Sequence, residues 1–133
     1  MDLIPVNTVT VEELNRFLDK NDHVDGRSLV DHGYVVRIGE ELEGCFVLAP
    51  LTDDVYWLRQ LYINQKKADR LPFLIDAIVT LAEKKQLKRI YVHSHQPVVD
   101  LLLEALQFEK EKKNEYVDNP PKINGKWWAY NVS

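Results

Sequence analysis

Residues 57–93 read WLRQLYI, NQKKADR, LPFLIDAIVTLAEKKQLK and RIYVH in succession, and this run decides the fold. Trp57 to Ile63 is rich in aromatic and aliphatic side chains and has the length of a buried strand. Asn64 to Arg70 breaks the apolar run with Lys66, Lys67 and Arg70. From Leu71 the period changes: Leu71, Leu74, Ile75, Ile78, Val79 and Ala82 recur at helical spacing on one face, with Asp76, Thr80, Glu83 and Lys84 on the other. Lys84, Lys85 and Lys88 suit the negative end of that helix. Arg89 to His93 is a second strand, and Pro97 opens a second helix at a position where a missing N–H costs little.

Two strands joined by a helix of this length form a βαβ unit, hence a parallel pair with a right-handed crossover. Ligands of such sheets sit outside the carboxyl ends of the strands, here Ile63 and His93. The segment after Ile63 runs into a helix N-terminus, a place suited to phosphate. The residues themselves thus point to a phosphate-bearing ligand.

Outward from this centre, Tyr34–Ile38 and Leu42–Ala49 read as a hairpin about Gly39-Glu40-Glu41. With Trp57–Ile63 they form an antiparallel meander. Leu3 to Val6 is a short edge strand marked by Pro5. Thr10 and Glu13 have capping-box spacing ahead of a helix whose apolar stripe is Val11, Leu14, Phe17 and Leu18. Asp22 to Asp31, with Gly26, reads as a loop with room for one helical turn. Phe108 to Tyr116 reads as a charged strand, and Trp127 to Val132 as the last one. The second helix, Pro97 to Leu106, is apolar on most sides, the mark of a buried helix or of one that meets a partner. A homodimer is one such association. The expectation is an α+β chain forming a single domain over residues 1–133, a mixed and mostly antiparallel sheet with a central parallel βαβ unit and helices on both faces.

A length of 133 residues suits one domain with a real core. A net charge of −4 argues against general nucleic-acid binding, which needs a basic footprint. The single cysteine, Cys45, excludes an internal disulfide and suits a reducing compartment. No apolar run has the length of a membrane span and no basic secretory leader precedes the first strand, so the expectation is a cytoplasmic protein.

Element order and the details of the centre resemble the GNAT N-acetyltransferase superfamily. Leu42 to Val47, with Gly44, is similar to that family's third strand. Leu61-Tyr62-Ile63 is similar to the end of its fourth strand, Leu74 to Val79 with Leu87 to Val92 to its third helix and fifth strand, and Leu102 to Phe108 to the helix that ends in Gly-Phe. The resemblance implies that acetyl-CoA is the cosubstrate. It further implies that the pantetheine arm pairs with Leu61, Tyr62 and Ile63, that the pyrophosphate rests on Lys66, Lys67, Arg70 and Leu71, and that a primary amine, on a small molecule or a protein, attacks the thioester directly.

The sequence departs from the family pattern at several points. Asn64 to Phe73 contains no glycine, Pro72 removes a donor, Asp69 places a carboxylate where it can cap the helix but repel phosphate, and Gln107 replaces the glycine before Phe108. The family's frequent tyrosine, which protonates the departing thiolate, aligns with Leu103. These departures favour, as the alternative, a catalytically inactive GNAT-like module for protein binding or assembly.

His93 is the candidate general base, its ordinary pKa lying near neutrality; the competing reading is a polar strand end facing water. His93-x-His95 without a second pair is weak as a metal motif, and no metal is expected. Cys45 reads as a packed core residue, Glu43 as a solvated hairpin carboxylate, and Trp127, Trp128 and Tyr130 as strand residues divided between core and cleft.

Overall fold

The computed structural model describes all of residues 1–133. Seven strands form one sheet in the order β1-β2-β3-β4-β5-β7-β6. They are β1 (Asp2–Pro5), β2 (Gly33–Ile38), β3 (Glu41–Pro50), β4 (Val55–Ile63), β5 (Arg89–Ser94), β6 (Glu109–Glu111) and β7 (Lys126–Asn131). Only β4 and β5 run parallel; every other neighbouring pair is antiparallel. Four α-helices accompany them: α1 (Val11–Lys20), α2 (Gly26–His32), α3 (Leu71–Lys84) and α4 (Pro97–Ala105).

Strand alternation sorts the core into two faces. Val36, Phe46, Leu48, Leu58, Ile90, Val92 and Trp128 point to the side covered by α3 and α4. There the stripe read from the sequence is borne out: Leu74, Ile75, Ile78, Val79 and Ala82 are buried, and Leu71 is half-buried. Each fully buried aliphatic side chain of this kind contributes about 1.5–3 kcal/mol. Val35, Cys45 and Val47 point the other way and meet Phe17 of α1 and Leu29 of α2. On that same side the β4-β5-β7 half carries Val55, Trp57, Tyr91, Trp127 and Ala129, with Val117 of the β6–β7 loop packed on it.

Helix α2 extends the one helical turn expected within the Asp22–Asp31 loop to a helix from Gly26 to His32. Asp25 caps it, its Oδ1 accepting the Arg27 N–H at 3.0 Å. The helix is seven residues long, too short for a periodic stripe to announce it. Thr10 caps α1 as expected, accepting from the Glu13 N–H at 3.1 Å. The Glu13 carboxylate has another partner, the Arg37 guanidinium, in a two-pronged contact at 2.8 and 3.0 Å that ties α1 to β2. The charged strand expected over Phe108–Tyr116 is only three residues long, since Lys112 and Lys113 are exposed and unpaired with the sheet.

Candidate functional site

The site begins with a fault in one strand. Between β3 and β4, Val47 faces Arg59 and Cys45 faces Tyr62, so β4 spends three steps where β3 spends two. The extra residue forms a bulge at Gln60, whose φ is +49°. The Gln60 side chain holds this conformation from outside the sheet. Its Oε1 accepts the Asp25 N–H at 2.6 Å, and its Nε2 donates to the Asp25 C=O at 3.2 Å and to Ser28 Oγ at 2.6 Å. The α1–α2 connection is thereby locked to the bulge.

Beyond the bulge, β4 and β5 part. Their parallel pairing runs from Val55–Arg89 to Leu58–Val92 and stops. β4 goes on to Ile63 still paired with β3, through Tyr62–Cys45 and Ile63–Gly44. β5 goes on to Ser94 still paired with β7, through His93–Trp127 and Ser94–Lys126. Each strand keeps its outer neighbour and loses its inner one. Asn64 donates its N–H to the Glu43 C=O at 2.7 Å. Two-residue alternation then turns the backbone N–H and C=O of Leu61 and Ile63 to the opposite edge, towards the gap.

Gly44 makes this arrangement possible. A Cβ there would lie 2.5 Å from the Tyr62 carbonyl oxygen, so only glycine lets β3 approach the tip of β4.

The gap is a cleft of about 310 Å3. Trp57, Leu58, Arg59, Gln60 and Leu61 line it from β4, Val92, His93 and Ser94 from β5, Val99 from α4, and Pro121 and Ile123 from the β6–β7 loop. His93 is thus brought to the cleft. Its ring sits edge-on to Trp127, with centroids 4.9 Å apart at 68°. Gly125 closes on it so tightly that a Cβ would come within 2.6 Å of Cε1. Burial lowers the His93 pKa from its ordinary value, the electrostatic influence of His95 lowers it further, and Asp100 opposes both. The imidazole is therefore neutral at pH 7 and able to accept a proton.

The remaining sequence candidates divide. Leu61 and Ile63 turn their side chains to the α3/α4 core, whereas the Tyr62 phenol points to the other face and donates to Asn21 Oδ1 at 2.7 Å. Lys66, Lys67 and Arg70 lie on a short 3-10 helix, Gln65–Arg70, and contribute nothing to the cleft wall. This helix corrects two expectations. Asp69 does not cap α3; Arg70 stands at the N-cap and makes no side-chain capping bond. Nor does α3 open on free amides. The Leu71 N–H is bonded to the Ala68 C=O, and Pro72 has none to offer. The Lys66 N–H goes to Asn64 Oδ1 at 3.1 Å and that of Lys67 to the Asn64 C=O at 2.7 Å. Without glycine the segment coils on itself and takes up the Lys66, Lys67 and Leu71 amides.

Leu103 is fully buried beneath the sheet, so it does not stand where a thiolate could be protonated; the α4 residue at the cleft is Val99. Cys45 is core as expected, its thiol pushed up to about 12 by burial. Glu43 lines a separate groove with Lys20 and Tyr62 rather than the cleft. Trp127 and Trp128 are both buried, on opposite faces, and Trp128 Nε1 donates to Asp100 Oδ1 at 2.8 Å. Sequence reasoning missed Arg59, Gln60 and Gly125. Isolated polar residues and a loop glycine carry no spacing signal.

No family model matches this sequence, and no curated protein matches it either. Solved structures do. A GNAT-family acetyltransferase from Staphylococcus aureus superposes with a TM-score of 0.70 at 15% identity, over 99% of both chains. The fold is that of the GNAT acetyltransferases. Tetrahymena GCN5 shares this GNAT fold with a TM-score of 0.70 at 11% identity, over 100% of this chain and 97% of its own. A GNAT-family acetyltransferase from Elizabethkingia anophelis, solved with acetyl-CoA bound, gives 0.67 at 17% identity over 98% and 95%. The α+β class, the mixed sheet with one parallel pair and the helices on both faces all stand as expected from the sequence.

Proposed function

We propose that the protein is an acetyl-CoA-dependent N-acetyltransferase that acts on a primary amine. One observation carries this reading: the gap beyond Leu58 and Val92, along which Leu61 and Ile63 present unpaired backbone edges. An amide-bearing arm such as pantetheine is the complement of such an edge, as a further strand would be. The likeness to GNAT structures, one of them holding acetyl-CoA, supports the same ligand.

The chain's own residues divide the work. The Leu61 and Ile63 backbones hold the arm, and Lys66, Lys67 and Arg70 take the phosphates as side-chain ligands. His93 accepts the proton that the amine releases as its nitrogen bonds to the acetyl carbon. The carbon–sulfur bond breaks, and the departing thiolate takes a proton from water, since Val99 offers none. Calorimetric titration with acetyl-CoA, followed by thiol release with an amine panel, tests the proposal. Heat on binding and thiol release that depends on amine support it. No heat at millimolar acetyl-CoA overturns it.

The inactive-module reading has an observation of its own. Val98 and Leu101 of α4 are each 68% exposed, and such a surface suits self-association or a partner protein. A monomer by light scattering that turns over acetyl-CoA rules that reading out.

A further inference from the structure

We infer that Arg59 is the recognition residue for a negatively charged group on the acceptor, so that the substrate is an amine carrying a carboxylate, of the amino-acid type with an apolar side chain. The inference rests on the N-acetyltransferase reading and names the acceptor for it.

Arg59 belongs to the face of the sheet opposite α3 and α4. Its guanidinium lies 4.1 Å from the centroid of the Trp57 ring, and Trp57 clusters with Tyr91, Trp127 and Ala129 on that face. His93 packs against Trp127 and so belongs to the same face. The base and Arg59 therefore stand on one side of the cleft, with the buried aromatic surface between them.

Arg59 has no ionic partner. The protein's two salt bridges are Arg37–Glu13 and Arg89–Glu111, and Arg59 appears in no side-chain hydrogen bond. The Trp57 ring occupies one face of the guanidinium and leaves its N–H edge open, the fork that fits a carboxylate with two parallel hydrogen bonds. The wider setting reinforces this. The chain as a whole carries a net charge of −4, yet no aspartate or glutamate lines the cleft, whose ionisable residues are Arg59, His93 and His95. A polyamine or a lysine-rich tail finds no counter-charge there. An acceptor that brings its own carboxylate does, and Trp57, Pro121 and Ile123 form an apolar wall for the rest of it. A positive neighbour also favours the neutral form of the acceptor's amine, the form that attacks.

Leucine and phenylalanine, each against its own carboxamide, are the acceptors for the test, with acetyl-CoA and the full chain. The free acids are expected to exceed the carboxamides by about tenfold in kcat/KM, the scale of one charge-assisted hydrogen bond at a partly wet site. In Arg59→Gln this ratio falls to about one, while Arg16→Gln, on the exposed side of α1, keeps it. Carboxamides used as well as acids, or a ratio that survives Arg59→Gln, overturn the inference. A second measurement separates it from the transferase reading: titration of the protein with N-acetyl-leucine and with N-acetyl-leucinamide. Tighter binding of the acid that is lost in Arg59→Gln upholds the anion subsite even if acetyl-CoA is never consumed. Equal binding of the two, or none in the millimolar range, overturns it.

Discussion

Leu58 and Val92 are the last residues to face one another in the parallel pair; past them β4 and β5 hold only their outer partners. The gap is fixed by the bulge at Gln60, and the bulge by three hydrogen bonds to Asp25 and Ser28. The helix pair α1–α2 therefore sets the shape of a cleft that it does not line.

Gln60 is accordingly a residue whose replacement is felt in stability and in ligand binding together. Gln60→Ala removes the anchors and leaves a side chain at positive φ, a loss of about 1–3 kcal/mol. Gln60→Gly relieves the backbone and recovers part of it. Urea unfolding of both variants measures the difference, with Gly above Ala as the expected order.

On the proposed reading Lys66, Lys67 and Arg70 take the phosphates through their side chains, since the Lys66, Lys67 and Leu71 amides are already bonded. Replacing each by alanine is expected to weaken acetyl-CoA binding by about three- to tenfold, roughly additively. The wild-type affinity falls with added salt, and the triple variant loses most of that dependence. Calorimetry at two salt concentrations reads both effects.

His93→Asn is expected to lower kcat by about 100-fold, the lower range for loss of a general base. In the wild type, kcat/KM rises with pH along an acid limb centred below the ordinary histidine value, because burial and then His95 depress the His93 pKa. Stability follows the same sign. A histidine depressed in the folded state contributes stability that is complete above its unfolded pKa and is lost as pH falls through the folded one. Melting temperatures at neutral pH and in the range just below the ordinary histidine pKa are expected to converge more closely in His93→Asn than in the wild type.

Leu103 and Val99 distinguish core from cleft on one helix. Leu103→Tyr overpacks a site of 0% exposure and is expected to cost about 1–3 kcal/mol. Val99→Tyr places its phenol at the cleft, is expected to cost less than about 1 kcal/mol, and supplies the acid that Val99 lacks. Denaturant curves order the two, and thiol-release rates show whether the Val99→Tyr hydroxyl speeds turnover.

The centre of the fold was legible because its signals are periodic. Leu74, Ile75, Ile78 and Val79 repeat at helical spacing, and the two strands they join are short runs rich in aromatic and aliphatic residues, so the βαβ unit follows from residue order alone. His93 was found as the polar end of one of those runs. What stayed hidden depends on single contacts between distant residues. Gln60 meets Asp25 across 35 residues, and no pattern in either segment records that meeting. The same holds for Gly125 against His93 and for Arg59 over Trp57. Leu103 lies one turn further along the same face of α4 as Val99, and residue order does not show which turn of that helix reaches the cleft. The segment after Ile63 looked like an open phosphate loop, since the sequence shows its basic side chains but not the carbonyls that take up its amides.

The central claim is that an acyl-CoA arm lies along the free edge of β4. Backbone amide shifts of the isotope-labelled protein, followed during titration with acetyl-CoA, test it most directly. The account predicts the largest saturable changes at Leu61 and Ile63, with His93 and Ser94 across the gap responding and the outer strands β1 and β6 silent. Unchanged Leu61 and Ile63 amides at millimolar acetyl-CoA, or changes confined to another surface, contradict it.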